Sequence, residues 1–311
     1  MDDQRFQPPP QQYAPPPPQY HPQSQHFRPM TVGEILDRTF RLYRKHFIRF
    51  IAIIAVVYVP ITLISLLAIT AVTGAFGDAA LSPGAQTGMR EVEPGEVAAF
   101  IVPFFVGLLL FVLAQALCNA ALVKSVSESY LGNEVTVGQA YKAVLPRLLS
   151  IIAAGILVAI VIIVGLVCLI VPGIIFALWF ALTMQAIVVE KRSATSAMGR
   201  SKALVAGNLG KVFGLWFLVA VINWIVGRVF QFIGAAAAGT SATGDVNTSL
   251  VIQQLFVMVG QALIMPISAG AFILLYYDLR IRKEGFDLEM LARSLGSGGT
   301  PPHGAPPLQQ V

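Results

Sequence analysis

The chain has 311 residues, 56% of them hydrophobic and only 12% charged, with a net charge of +5 and a mean hydropathy of +0.71. A soluble domain carries about 25% charged residues, so this chain lacks the charge to cover a globular surface, and much of its surface must face lipid. The positive balance does not point to nucleic acid, because the basic residues flank apolar segments instead of forming a basic module, as expected of residues that orient a membrane protein.

Residues 1–30 are rich in Pro, Gln and Tyr, with Pro8-Pro9-Pro10 and Pro15-Pro16-Pro17-Pro18. With few aliphatic residues this tract cannot build a core and is expected to be a disordered, extended tail. It could dock a proline-recognising protein partner, and it lacks the apolar stretch of a signal peptide. From Thr31 to Arg49 the pattern becomes helical and amphipathic. Leu36, Phe40, Tyr43 and Phe47 fall on one face, and Glu34, Arg38, Arg41 and Lys45 on another. Thr31 and Glu34 form a capping box. The basic face suits the surface of an anionic leaflet, so membrane lipids are expected partners.

The apolar segments follow. No charge falls between Arg49 and Asp78 or between Glu96 and Lys124, and the gap from Arg147 to Glu190 has room for two crossings, each of which needs about 20 residues. Val171-Pro172-Gly173 predicts a tight turn dividing that gap. The predicted spans are 50–73, 97–123, 148–170, 173–189, 212–233 and 250–277 within a membrane domain of 31–292, followed by a flexible Gly/Pro-rich tail over 293–311. Continuous apolar runs, not alternating ones, make these helices and not barrel strands. The expected fold is therefore an all-α integral membrane protein with six transmembrane helices.

Placing the amino terminus inside puts 19 of the 21 Lys and Arg residues on the cytoplasmic side, leaving only Arg90 and Arg228 outside. The first external loop is instead acidic, with Asp78, Glu91, Glu93 and Glu96. Both ends are thus expected in the cytoplasm of a multi-pass protein of the cell membrane. Thr31-Val32-Gly33-Glu34 recurs as Thr136-Val137-Gly138-Gln139, and a weaker copy starts near Ser193. The chain reads as three units, each an interfacial helix followed by a transmembrane hairpin.

Catalytic chemistry has little to draw on. His21, His26, His46 and His303 are scattered, and Cys118 and Cys168 each sit in an apolar run without metal-ligand spacing. No enzyme activity, metal or cofactor is expected. Within the spans the notable groups are Arg228, expected to reach the outer interface, and Gln115, Asn119, Gln185 and Asn223, expected to join helices by hydrogen bonds. The remaining candidates cluster at the cytoplasmic boundary: Asp37, Arg38 and Arg41 on the first amphipathic helix, Glu190 and Arg200 around the fourth and fifth spans, and Asp278 and Arg280 at the end of the sixth. Carboxylates at that depth require basic partners, so pairing among these seven is expected, with Glu284 lying farther from the membrane.

Gly33-Glu34-Ile35-Leu36-Asp37-Arg38, continued by Phe40-Arg41-Leu42-Tyr43-Arg44, resembles the opening of bacterial proteins of the glycerophosphoryl diester phosphodiesterase membrane-domain type. The same likeness extends to Val171-Pro172-Gly173-Ile174, to Glu190 with Arg200-Ser201, and to the ending Tyr277-Asp278-Leu279-Arg280 through Asp287. The resemblance implies the membrane architecture over residues 31–292. It does not imply hydrolysis, which in the enzyme belongs to a separate soluble barrel whose catalytic residues have no counterpart here. The expected function is a non-catalytic membrane module that organises a lipid or protein partner at the cytoplasmic face. The alternative is a transporter or channel for a small or lipid-like solute.

Overall fold

A computed structural model describes the main chain of residues 29–80, 94–239 and 246–285, with side chains over 29–67, 105–239 and 248–285. The Pro-rich tail, the acidic loop around Glu91 and Glu93, and the carboxy-terminal tail lie outside the described residues. The regular structure among the described residues is entirely helical: α1 Val32–Lys45, α2 Phe47–Ala80, α3 Pro94–Tyr130, α4 Val137–Val144, α5 Leu148–Cys168, α6 Ile170–Trp179, α7 Thr183–Glu190, α8 Ala194–Val205, α9 Leu209–Gly239 and α10 Val246–Glu284.

Six stretches are long and apolar enough to cross a bilayer: Phe47–Leu67, Phe105–Tyr130, Val137–Cys168, Ile170–Glu190, Leu209–Gly239 and Thr248–Glu284. They form three hairpins, α2–α3, α5 with α6–α7, and α9–α10, each preceded by one short α-helix, with a 3-10 turn at Leu145–Arg147 between α4 and α5. That is the threefold order expected from the Thr-Val-Gly repeat.

The repeat is exact in register at its buried positions. The residues four and eight places after Thr31, Thr136 and Ser193 are Ile35 and Thr39, Ala140 and Val144, and Ala197 and Ser201, and all six are buried. All three starting residues are extended, with φ/ψ of −80/166, −73/159 and −72/164. Thr31 and Thr136 complete capping boxes with Glu34 and Gln139, whereas Ser193 makes no side-chain cap. Its counterpart of Glu34 is Ser196, whose hydroxyl accepts from Arg192 at 3.2 Å and is too short to reach back as a Glu or Gln would.

The short helices do not merely rest beside the hairpins. Met30 is bonded to Asp278, and Thr39 is pressed against Gly270, where an added Cβ would lie 2.7 Å from Thr39 Cγ2. So α1 runs antiparallel along the last part of α10. In the same way α8 returns along α7, with Ser201 opposite Leu182, and α4 returns along the end of α3. The buried stripe of α1 is accordingly Ile35 and Thr39, not the predicted Leu36, Phe40, Tyr43 and Phe47 face, of which Phe40 and Phe47 are exposed. Packing against one neighbouring helix selects a stripe narrower than the whole apolar face. The densest core lies here, at Cys118–Val126, Leu182–Val188 and Ala271–Ile281, and α10 is the most buried span.

Two details differ from the predicted elements. The α5–α6 turn is at Leu169, extended at φ −166 and ψ 147, and Pro172 lies in the first turn of α6. There a missing N–H and a fixed φ favour the start of a helix and do not break one. Gly173 serves close approach: a Cβ would meet Leu166 at 2.5 Å, as one on Gly165 would meet Phe176 at 2.7 Å. The fourth span is also interrupted between Trp179 and Thr183. Ser201 holds the break, accepting the Leu182 N–H at 3.1 Å and donating to the Trp179 carbonyl at 2.7 Å. Main-chain groups left by a broken helix inside a membrane protein need such a partner.

Candidate functional site

Three carboxylates stand near the ends of the return helices α3, α7 and α10. They are Glu128, Glu190 and Asp278, with side-chain exposures of 18%, 13% and 0%. Each receives donors from its own unit or from the start of the next, and Glu190 also from the last helix of the third unit. Glu128 accepts from Lys124 at 2.5 Å and from Asn133 at 2.8 Å. Glu190 accepts from Arg200 Nε at 2.8 and 3.0 Å and from Arg192 at 2.6 Å, with the Tyr276 hydroxyl donating as well.

Asp278 closes the ring back to the first unit. Its Oδ1 accepts the Met30 N–H at 2.5 Å, while its Oδ2 accepts from Lys211 and, at 3.0 Å, from Arg282. The same two cations donate to the Met30 carbonyl, Lys211 at 2.5 Å and Arg282 at 3.0 Å. The main chain of one residue is thus gripped at both its N–H and its carbonyl, on two successive peptide units. A carboxylate this buried would be strongly destabilising alone, and the surplus donors of its two partners are used by the Met30 carbonyl.

The neighbouring face of α10 carries a second network. Arg200 bonds Glu284 as well as Glu190, with Nη2 2.7 Å from Glu284 Oε2. Arg280 lies 3.2 Å from Glu284 and 3.8 Å from Glu190. Hydrogen bonding to Glu284 raises the Arg200 pKa above its ordinary value against the opposing effect of burial, and Glu190 adds in the same direction. Residues 276, 280 and 284 follow one helical stripe and residues 278 and 282 another, so Asp278 and Arg280 serve different networks.

Of the seven predicted residues, Glu190, Arg200 and Arg280 come together and Asp278 lies on the adjoining face. The expected joint pairing does not extend to Asp37 and Arg41 among the described residues. They pair with each other on their own helix, at 2.8 Å and 66% exposed. Arg38 faces the Tyr130 hydroxyl. Glu284, predicted to lie apart, is a full member of the second network. Sequence reading also missed Lys211, Arg282, Tyr276, Glu128 and the main chain of Met30. The available signals were the four-residue spacing of Asp278 and Arg282, and a lysine just inside an apolar segment.

Deeper in the spans, polar groups join helices as expected at two places. Tyr58 donates to Gln115, and Asn223 donates to Ser268 at 2.9 Å. Among the described residues Asn119 bonds its own helix, at Gln115 O, and Arg228 donates to Gln231 at 3.1 Å on an exposed surface. Buried Gln185 Oε1 has no hydrogen-bond partner among the described residues. Among the described residues no group of three or more His, Cys, Asp or Glu side chains could hold a metal ion.

These features define a multi-pass α-helical membrane protein whose helices are tied together by buried ion pairs at one end. Residues 50–279 match the family described as a domain of unknown function (DUF7847), and the chain belongs to that family. No curated protein and no solved structure matches it.

Proposed function

We propose that the chain is a non-catalytic membrane module that organises a lipid or protein partner at the cytoplasmic face of the cell membrane, with both ends in the cytoplasm. The observation that carries this reading is the distribution of its charge. Two neighbouring ion-pair networks gather around the end of α10, on the side of the short helices, whereas within the spans Tyr58 bonds Gln115 and Asn223 bonds Ser268. A rigid end of this kind suits a platform. The bias of Lys and Arg to the same side supports its cytoplasmic placement. The likeness to glycerophosphoryl diester phosphodiesterase membrane domains is read the same way, as shared membrane architecture without the hydrolytic chemistry.

A transporter or channel is the second reading. What favours it is the burial of Gln185 Oε1, Ser125 Oγ and Ser129 Oγ without hydrogen-bond partners among the described residues, the kind of groups that ordered water serves. Purification from native membranes with identification of bound lipid and protein, alongside flux measurements in proteoliposomes, separates the two. A stoichiometric companion with no flux and no hydrolysis of glycerophosphodiesters is expected. Solute flux, or turnover that scales with protein, would overturn the module.

A further inference from the structure

An apolar cavity of about 250 Å³ lies between the α5–α6 hairpin and α9, lined by Ile162, Leu166, Ile174, Ala177, Leu178 and Trp216. It is larger than the roughly 150 Å³ engineered cavity that accommodates benzene. Leu166 and Ile174 are also exposed on the outer surface. In a chain that spans the bilayer this wall faces hydrocarbon, so an occupant arrives from the lipid and must itself be apolar over this length.

The two ends of the cavity differ in chemistry. Gly173, near the Leu169 turn, closes one end among aliphatic side chains. At the other end Leu178 is followed by Trp179, whose ring carries the Lys202 ammonium 4.5 Å from its centroid. Lys202 is exposed and has no carboxylate within ion-pair distance among the described residues, unlike Arg200 two residues earlier. A second cation lies close by, for Lys283 donates to the Ala203 carbonyl at 2.6 Å and also to that of Ala206. Trp179 and Trp216 are residues of the kind that collect at the headgroup level of a bilayer. The apolar slot thus reaches Leu178, one residue before an aromatic ring that carries an unneutralised ammonium group.

We infer that this slot is a binding site for one anionic phospholipid. An acyl chain lies along α6 from Leu178 towards Gly173, and the headgroup phosphate is held at Lys202. Lipid cations and phosphocholine headgroups fit less well, because the rim presents positive charge and no described carboxylate to receive theirs. The inference rests on the lipid arm of the function proposed above and names the lipid class and its place.

The test uses the full chain in detergent, delipidated and then mixed with dioleoylphosphatidylglycerol or dioleoylphosphatidylcholine, read by native mass spectrometry and by thermal melting. Phosphatidylglycerol should be retained at least fivefold more than phosphatidylcholine and should raise the melting temperature more. Lys202→Gln should abolish that preference, and Ala177→Phe, which fills the slot, should reduce retention of both lipids. Equal retention and equal melting shifts of the two lipids by the wild-type chain would overturn the inference without recourse to any variant. A preference untouched by folded Lys202→Gln would also overturn it, placing the lipid elsewhere and leaving the module reading standing. If a protein companion co-purifies while neither lipid binds, the site falls and the protein arm of that reading survives.

Discussion

The main-chain N–H of Met30 donates to the carboxylate of Asp278, 248 residues later, at 2.5 Å. This bond joins the first residues of the first unit to the last helix of the third, and it does so at the most buried charge of the described chain. The energetic role of Asp278 therefore differs in kind from that of a surface carboxylate.

Asp278→Ala is expected to destabilise the protein by roughly 3 kcal/mol, because the Met30 N–H and the partly buried Lys211 lose the fully buried carboxylate that pairs them. Asp37→Ala, which breaks a pair 66% exposed on both sides, is expected to change stability by no more than about 1 kcal/mol. Thermal melting in detergent compares the two. Glu284 cannot act as the neutral comparison, since it binds Arg200 and Arg280. Similar shifts for Asp278→Ala and Asp37→Ala would show that the Met30 clamp adds little.

Gly270→Ala should lower stability even though alanine ordinarily favours a helix interior by up to about 1 kcal/mol over glycine. The added Cβ would meet Thr39 Cγ2 at 2.7 Å and push α1 off α10. Gly214→Ala, with nothing within 4 Å of its Cβ, should be neutral or stabilising. Thr39→Ala should restore part of the loss in the double variant, and a strictly additive pair would refute this account of the contact.

The three helix starts should respond unequally to removal of their hydroxyl. Thr31→Ala and Thr136→Ala each break a complete capping box and should cost about 1 kcal/mol. Ser193 makes no such bond, so Ser193→Ala should be nearly silent. Amide exchange over the first turns of α1, α4 and α8 resolves the three sites individually, and a loss of protection in α8 as large as in α1 would contradict the assignment.

Orientation can be read by impermeant thiol labelling of intact cells. Ser82→Cys and Thr243→Cys should react, and Thr195→Cys, exposed on α8, should not. Ser127 is unsuitable as the inner probe because it is buried against Tyr277 and would be silent on either side. The background needs Cys168→Ser, since native Cys168 is exposed while Cys118 is buried. Reaction at 195 alone would invert the topology.

Hydropathy made the six helices legible because an uncharged run of 20 or more residues has few alternatives. The Thr-Val-Gly recurrence went further and gave the order of the three units. Pairing was less visible. Glu190 and Arg200 are ten residues apart across a short turn, and local spacing suggests their bond. Lys211 meets Asp278 only because α9 returns beside α10, and Met30 contributes main-chain atoms that no side-chain pattern encodes. The break after Trp179 left no glycine or proline signal, since its main-chain groups are satisfied from outside by Ser201. Pro172 and Gly173 misled in the opposite sense, being a helix start and a packing contact.

The Met30–Asp278 contact gives the assembly of three units no privileged beginning. The segment before α1 meets the end of α10 as directly as the Leu131–Val135 connection joins α3 to α4. A circular permutant that links residue 285 to residue 29 through a short flexible peptide, and opens new ends between residues 131 and 135, keeps all three hairpins and all three short helices intact. Permuted genes of this kind would separate what the order of synthesis contributes to assembly from what the contacts alone specify, with the melting temperature as the common measure.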